Sequence, residues 1–482
     1  MTTVTKEQGS KAEGSSAFDA YQTSLTTRYC SPAMSKLFSQ RSRHSTWRRL
    51  WYHLAECEKE LGINTITPEA IEQMKAHLVV TDDEFEIARI EEKIRRHDVM
   101  AHVHAFGVVA PAAAGIIHLG ATSCFVTDNT ELILMRDALD LIAKKLAKVI
   151  SNLSSFAVKW KAEPTLAYTH LQAAQLITVG KRAAQWAQDL MLDLHTIEQA
   201  SFLEIFQGDS AKCDELNVLL CKRFDFPGCY DVSTQTYTRK VDLIIANAVA
   251  GLGATAQKIT GDLRHLATWK EIEEPHESSQ IGSSAMAYKV NPMRSERVYS
   301  LARELMSKPA SFANTLSDQW MERTLDDSAI RRIDIPEMFL LADAILLGLD
   351  NISSGLVVYP NRIAFRVQEE LPFMITETII MRMVAQGASR QETHEQIRVI
   401  SNQAGSVVKN EGKPNDLVSR IQNNEFFKPI WGDIHGMLKA DLYIGRSAEI
   451  VDKYCGPGGV VEKALAPYAA YIKGSSSAEL SV

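Results

Sequence analysis

The segment DNTELILMRDALDLIAKKLAKVISNLSSFAVKW, residues 128–160, decides the fold. Leu132, Met135, Leu139, Ile142, Leu146, Val149, Leu153, Phe156 and Trp160 follow one another in steps of three and four. An apolar seam of that period, sustained for about four heptads, predicts one long helix packed in a bundle. Asp128, with Glu131 three residues on, resembles a capping box at its start. Working outward, helices are predicted from about 176 to 197, from Lys240 onward, and over 295–315, 336–352 and 375–386. The helix from Lys240 carries Ala246, Ala248, Ala250, Gly251, Gly253 and Ala254. Each mid-helix Gly costs about 1 kcal/mol, and close approach of a second helix is the expected compensation. Gly387 reads as a helix stop, and Ser389 with Glu392 as the next start. No convincing alternating strand and no short repeat is visible. The expected fold is therefore all-α, with three helical domains: 19–121, a central long-helix bundle over 122–358, and 359–473. Disordered tails are expected at 1–18 and 474–482. Long helices with apolar residues on several faces need partner helices, so an oligomer is expected.

Composition narrows the function. The chain has 482 residues, 45% hydrophobic and 23% charged, with a formal net charge of -7. Such a balance is ordinary for a globular protein and argues against a nucleic-acid binder held by bulk positive charge. Its cysteines (30, 57, 124, 213, 221, 229 and 455) are odd in number, scattered and free of CxxC spacing. That argues against a disulfide scaffold or a zinc ribbon and for a reducing compartment. The N-terminus lacks the apolar run of a signal peptide, and the longest apolar stretch, 243–256, is too short to span a bilayer. A cytoplasmic protein with no membrane contact is the expectation.

Three regions stand out chemically. The segment EIEEPHESSQIGSSAMAYKVNPMRSER, 271–297, is polar and long for an interhelix connection, which favours a functional loop over a plain solvated one. RRHDVMAHVHAFG, 95–107, gathers His97, His102 and His104. Their spacing lacks the partners of a metal motif, and Asp98 with His102 one turn on reads as a plain ion pair. His170 lies in EPTLAYTHLQAAQL, 163–176, and reads as the entrance of a helix; a lone His is more often structural than catalytic. Arg28, Arg96, Arg239, Arg297, Arg323 and Arg332 recur beside these regions. Converging, they would make a phosphate or carboxylate pocket inside an acidic protein.

GSSAMAYKVNP, 282–292, resembles the mobile-loop signature of the fumarase/aspartase superfamily, and GATS (120–123) and THLQAAQL (169–176) resemble two further active-site segments. RYCSPAM, RRHDVMAH, QTYTRKVD, MRSER and ERTLDDSAIRR are similar to the adenylosuccinate lyase family of animal type, from about residue 19 to the C-terminal region. The resemblance implies a homotetramer built on the central helices, with composite sites drawn from three subunits. It implies β-elimination of fumarate from two small-molecule substrates, adenylosuccinate (giving AMP) and the succinylated aminoimidazole carboxamide ribotide (SAICAR, giving AICAR), in purine biosynthesis. No metal or organic cofactor is implied. By carry-over Ser283 is the base, His170 the acid and Lys289 the cation that steadies the intermediate. Arg28, Tyr29, Arg96, His97, Asp98, Thr122, Ser123, Thr169, Gln235, Asn291, Arg297, Arg323, Ser328 and Arg332 are the matching binding positions.

The chain departs from that pattern in three places. Family sequences carry a Lys-Gly-Thr-Thr-Gly-Thr stretch before Gln-Ala-Ser-Phe, whereas here DLHTIE (193–198) runs straight into QASF (199–202). Loss of a segment near the site would shift a bundle helix or remove substrate contacts. Ala173 and Ala287 replace prolines, each adding chain freedom worth up to about 1 kcal/mol. Thr234 replaces a Gly, and would be strained if that position needs φ > 0. The leading expectation is a purine-pathway lyase. The main alternative is a helical oligomer of the same family with little activity. Argininosuccinate lyase or fumarase chemistry fits QTYTRK and ERTLDDSAIRR less well, and a zinc hydrolase fits least.

Overall fold

The computed structural model describes residues 19–200, 211–228, 230, 232, 234–277, 285, 286, 288–476, 478 and 480, without the side chains of 211–213. Ser283, with the rest of its Gly-Ser-Ser turn, and Ala287 lie outside the described residues. After a short π-helical turn at Leu25–Tyr29 come α1 (Pro32–Leu37), α2 (Gln40–Glu60), α3 (Pro68–Ala76), α4 (Asp82–Arg95) and α5 (Asp98–Val109). Ser31, Ser39, Thr67 and Thr81 cap the first four by accepting a backbone N–H, and Thr81 with Glu84 makes a full capping box.

The seam forms α6 (Ser123–Lys159), about 55 Å long at 1.5 Å per residue. Leu132, Met135, Leu139, Ile142, Leu146, Val149, Leu153 and Phe156 are all buried. The helix begins five residues before the expected cap. Asp128 and Glu131 do not cap anything: both are buried inside the helix, and they pair with Arg239 and Arg43. α7 (Val179–Ala200) and α11 (Asp327–Ser354) pack on α6, α9 (Lys240–Thr268) packs on α7 and α11, and α10 (Met293–Ser317) packs on α9 and α11, with α8 (Ala211–Arg223) beside α2. α7 carries the Glu198–Gln199 junction within its last turn and ends at Ala200; residues 201–210 lie outside the described residues.

Small residues fall where helices close on one another. A β-carbon on Gly253 of α9 would lie 3.2 Å from the Ala302 carbonyl of α10. At Gly180 it would lie 2.2 Å from the Ala157 carbonyl oxygen and 2.6 Å from the Lys161 nitrogen. Neither backbone group can rotate away. Gly180→Ala is therefore expected to destabilise the chain by about 1–3 kcal/mol or more, read as a lower urea midpoint at unchanged slope.

One expectation fails between α6 and α7. Residues 163–178 do not enter a helix. They form a hairpin of β1 (Pro164–Thr169) and β2 (Gln172–Thr178), with Thr169 opposite Gln172 and an irregularity between Leu166 and Tyr168. α7 starts only at Val179. A second short pair, β3 (Ile272–Glu273) with β4 (Val357–Val358), ties the root of the 271–292 loop to the end of α11. Beyond it lie α12 (Pro360–Met374), α13 (Thr376–Ala385) and α14 (Arg390–Ser406), then short helices to Gly474. Gly387 ends α13 with φ 92°, and Ser389 caps α14 through the Glu392 N–H, as expected.

Candidate active site

The sharp α4–α5 junction makes one wall of a cleft. Arg96 closes α4 in the left-handed region (φ 57°), and extended His97 caps α5. His97 Nδ1 accepts from the Met100 N–H, which places the ring proton on Nε2, 3.3 Å from Ser123 Oγ. Asp98 accepts from Arg332 at 2.6 Å. Burial opposes the charge on Asp98, but the Arg332 guanidinium outweighs it and holds the carboxyl below its usual range. The expected Asp98–His102 pair does not form. His102 instead stacks on His44 with ring centroids 3.9 Å apart, edge-on to Trp47 and Phe85.

That stack cannot take protons cheaply. Burial pushes His102 down to about 4, and burial with repulsion from His102 pushes His44 down to about 3. Both folded values lie below the ordinary 6.5, so the unfolded chain binds more protons in acid, and the stability the pair contributes is lost as pH falls below about 6.5. Between pH 7.5 and 5 the wild-type chain should lose more unfolding free energy than a His44→Gln/His102→Gln variant does. Parallel urea-midpoint profiles for the two chains would refute this.

The opposite wall is the start of α6. Thr122 precedes its first turn without capping it, and Thr122 and Ser123 both line the cleft. The loop before α11 supplies Arg323, and α11 itself supplies Ser328 and Arg332. Gln235 arrives from the segment before α9. The Thr234 hydroxyl donates to the Glu322 carbonyl at 2.8 Å, which ties that segment to the arginine loop. Nine of the expected positions (Arg96, His97, Asp98, Thr122, Ser123, Gln235, Arg323, Ser328 and Arg332) thus line one cavity of about 510 Å³. Sequence reasoning missed Arg43, Asp327 and Arg331 there. The last two lie inside ERTLDDSAIRR, beside residues it did find.

The remaining positions lie elsewhere in the chain. Arg28 and Tyr29 line a different cavity, of about 660 Å³, and Arg297 lies over the Tyr29 ring at 5.5 Å. Thr169 and His170 are at the hairpin tip, where His170 (φ 52°) and Leu171 (φ 59°) form the two-residue turn, the backbone of a type I′ turn without its usual Asn-Gly. Tyr168 anchors that tip: its ring stacks on Trp269 at 4.3 Å, Arg366 lies over Trp269 at 4.9 Å, and buried Glu271 holds Arg366. His170 lines a third cavity, about 580 Å³, which shares no residue with the cleft. Lys289 is exposed and Asn291 half-buried on the returning limb of the loop. Both limbs are pinned by Glu274, which accepts from the Arg294 and Ser295 N–H groups at 2.9 and 2.8 Å. A carboxylate on the first N–H groups of α10 is favoured there by the helix dipole.

Chemically, the cleft offers guanidiniums, hydroxyls and an amide, a set suited to phosphate or carboxylate. The comparisons agree. A family model described as Lyase matches residues 27–307, and one described as Adenylosuccinate lyase C-terminus matches 372–454. The chain is 52% identical over 472 residues to adenylosuccinate lyase of Saccharomyces cerevisiae, covering 94% of this chain and 98% of that one. It is 46% identical to the Schistosoma mansoni enzyme, covering 91% and 94%. A fumarate lyase structure from Mesorhizobium sp. BNC1 superposes with a TM-score of 0.77 at 21% identity, over 91% of this chain and 99% of that one. The 3-carboxy-cis,cis-muconate lactonizing enzyme of Pseudomonas putida gives 0.76 at 20% identity, over 93% and 99%, which bears out the all-α fold. Sequence identity of that extent, with nine motif positions gathered in one cleft, places this chain in the adenylosuccinate lyase family.

Proposed function

We propose that this lyase cleaves adenylosuccinate to AMP and fumarate, and SAICAR to AICAR and fumarate, in a cleft completed by other copies of the chain. The convergence of Arg96, Arg323 and Arg332 with Ser123, Ser328 and Gln235 carries the reading, because both substrates bear a phosphate and two carboxylates. Ser283, as an alkoxide, takes the proton beside a substrate carboxylate. The electron pair passes into that carboxylate as a dianion steadied by Lys289, then returns to form the C=C bond as the C–N bond breaks. His170 gives its proton to the departing nitrogen. Asn291 holds a carboxylate, and closure of the 271–292 loop excludes water.

Separation of His170 and the Arg28–Tyr29–Arg297 group from the cleft within one chain supports a composite site in a homotetramer. So do apolar side chains left exposed beside the cleft and on the long helices: Trp320, Met321 and Leu325, and Leu192, Ile244 and Ile333. A three-domain division at about 121 and 358 and a cytoplasmic location fit the same reading. Among the described residues no helix is long and apolar enough to cross a membrane. The extent of identity favours an active lyase over an inactive scaffold. The test is the ultraviolet absorbance change of adenylosuccinate with purified protein. Turnover is expected; its absence while a tetramer persists on sizing would favour the scaffold.

A further inference from the structure

Two arginines that line the cleft have their charge already committed. Arg239 is buried, and donates to Asp327 through Nε at 2.7 Å and to Asp128 through Nη1 at 2.9 Å. Arg331 is buried, and donates to Asp242 through Nε at 2.7 Å and to the Tyr237 hydroxyl through Nη2. That hydroxyl in turn donates to Asp242, and Arg331 Nη1 stands 3.6 Å from Asp128. Both guanidiniums lie over the Tyr237 ring, at 4.8 and 5.2 Å. The outer arginines differ. Arg332 makes one exposed pair with Asp98, and Arg323 donates to the Thr324 carbonyl and reaches Cys124. Arg43 is likewise committed to buried Glu131. The cleft therefore divides its cations by burial, into an inner set held by buried carboxylates and an outer, more exposed set able to meet an anion.

The inner network joins the starts of α6, α9 and α11, and each member neighbours a cleft residue in the chain. Asp327 precedes Ser328, Arg331 precedes Arg332, Arg239 follows Gln235 by four residues, and Asp128 follows Ser123 by five. Breaking a buried pair leaves a charge uncompensated, so such a network tolerates few alternative arrangements of the helices that bear it. We propose that Asp242, Tyr237 and Arg331 are positioning residues, which fix the start of α11 against α6 and α9 and thereby aim Ser328 and Arg332 at the substrate's anionic group. The proposal rests on the reading of the cleft as the substrate site. Asp242 and Tyr237 are buried and do not line the cleft, so neither touches a ligand there, and Tyr237→Phe changes no charge, so its effect on a ligand travels through the helices.

The variants are Asp242→Asn, which keeps shape and removes charge, and Tyr237→Phe, which removes only the bridging hydroxyl. AMP affinity is measured by calorimetry, and KM and kcat by the absorbance assay. Asp242→Asn should raise the AMP Kd and the KM about tenfold and Tyr237→Phe about two- to fivefold, with kcat within about twofold of wild type. Asp242→Glu should recover part of the affinity. A merely structural role would lower the folded fraction and hence apparent kcat, leaving KM and the AMP Kd alone; that result overturns the proposal, as does no change at all. Should Asp242→Asn fail to fold, Tyr237→Phe decides by the same criteria. Absence of AMP binding by the wild-type chain would instead remove the reading of the cleft, and the proposal with it.

Discussion

Replacing His170 by Ala should cut kcat by about 10²–10⁴-fold, the range for loss of a positioned general acid, while the AMP Kd stays within about twofold. The imidazole stands at the tip of a two-residue turn whose residues both have positive φ. Backbone held in that region by non-Gly residues costs energy and persists only where its surroundings enforce it. Here Tyr168, clamped between Trp269 and the Arg366–Glu271 pair, supplies the enforcement. Ala at 170 leaves that clamp and the turn in place, so assembly should be unchanged on sizing. The cleft's arginines and hydroxyls, which His170→Ala leaves in place, supply the contacts to the AMP phosphate, so AMP binding should change little. Ser283→Ala should be equally damaging to kcat. A fully active variant at either position would remove that residue from the mechanism.

Arg239→Met should destabilise the folded chain by about 3–5 kcal/mol, the usual cost of removing one partner from a buried ion pair. The substitution conserves apolar bulk but strips Asp128 and Asp327 of their main cation in a buried setting. Arg331 remains 3.6 Å from Asp128 and already answers Asp242, so it compensates only in part. The expected result is a much lower urea midpoint, with loss of the native population at 37 °C. Arg41→Met, which breaks an exposed pair with Asp82, should by contrast shift stability by no more than about 1 kcal/mol. Equal effects at the two sites would contradict the role assigned to burial.

The bundle was legible because its signal is local and long. Nine apolar residues at helical spacing leave few other structures open to 128–160, and eight of them are buried in α6. Its start was misread because Asp128 and Glu131 imitate a cap while serving partners 111 and 88 residues away in sequence. The hairpin at 164–178 escaped notice for a similar reason. Its strands are short, one carries an irregularity, and its turn is His-Leu instead of the Asn-Gly that betrays a type I′ turn. Most of the cleft was legible through motifs, since RRHD, GATS and ERTLDDSAIRR each bring short-range neighbours to one wall. Which arginines converge was not. Arg96, Arg239, Arg323 and Arg332 meet in the cleft, whereas Arg28 and Arg297 gather around Tyr29, a division set by helix packing.

In the proposed assembly one catalytic site draws its anion-binding arginines and its acid from different copies of the chain. The direct measurement mixes two inactive homo-oligomers, His170→Ala and Arg332→Ala, under conditions where subunits exchange. In the hybrids some sites combine Arg332 from one variant with His170 from the other, so turnover of adenylosuccinate should reappear and grow with exchange. Mixtures that stay inactive while labelled subunits demonstrably exchange would mean that both groups serve a site within one chain, and the account would be wrong.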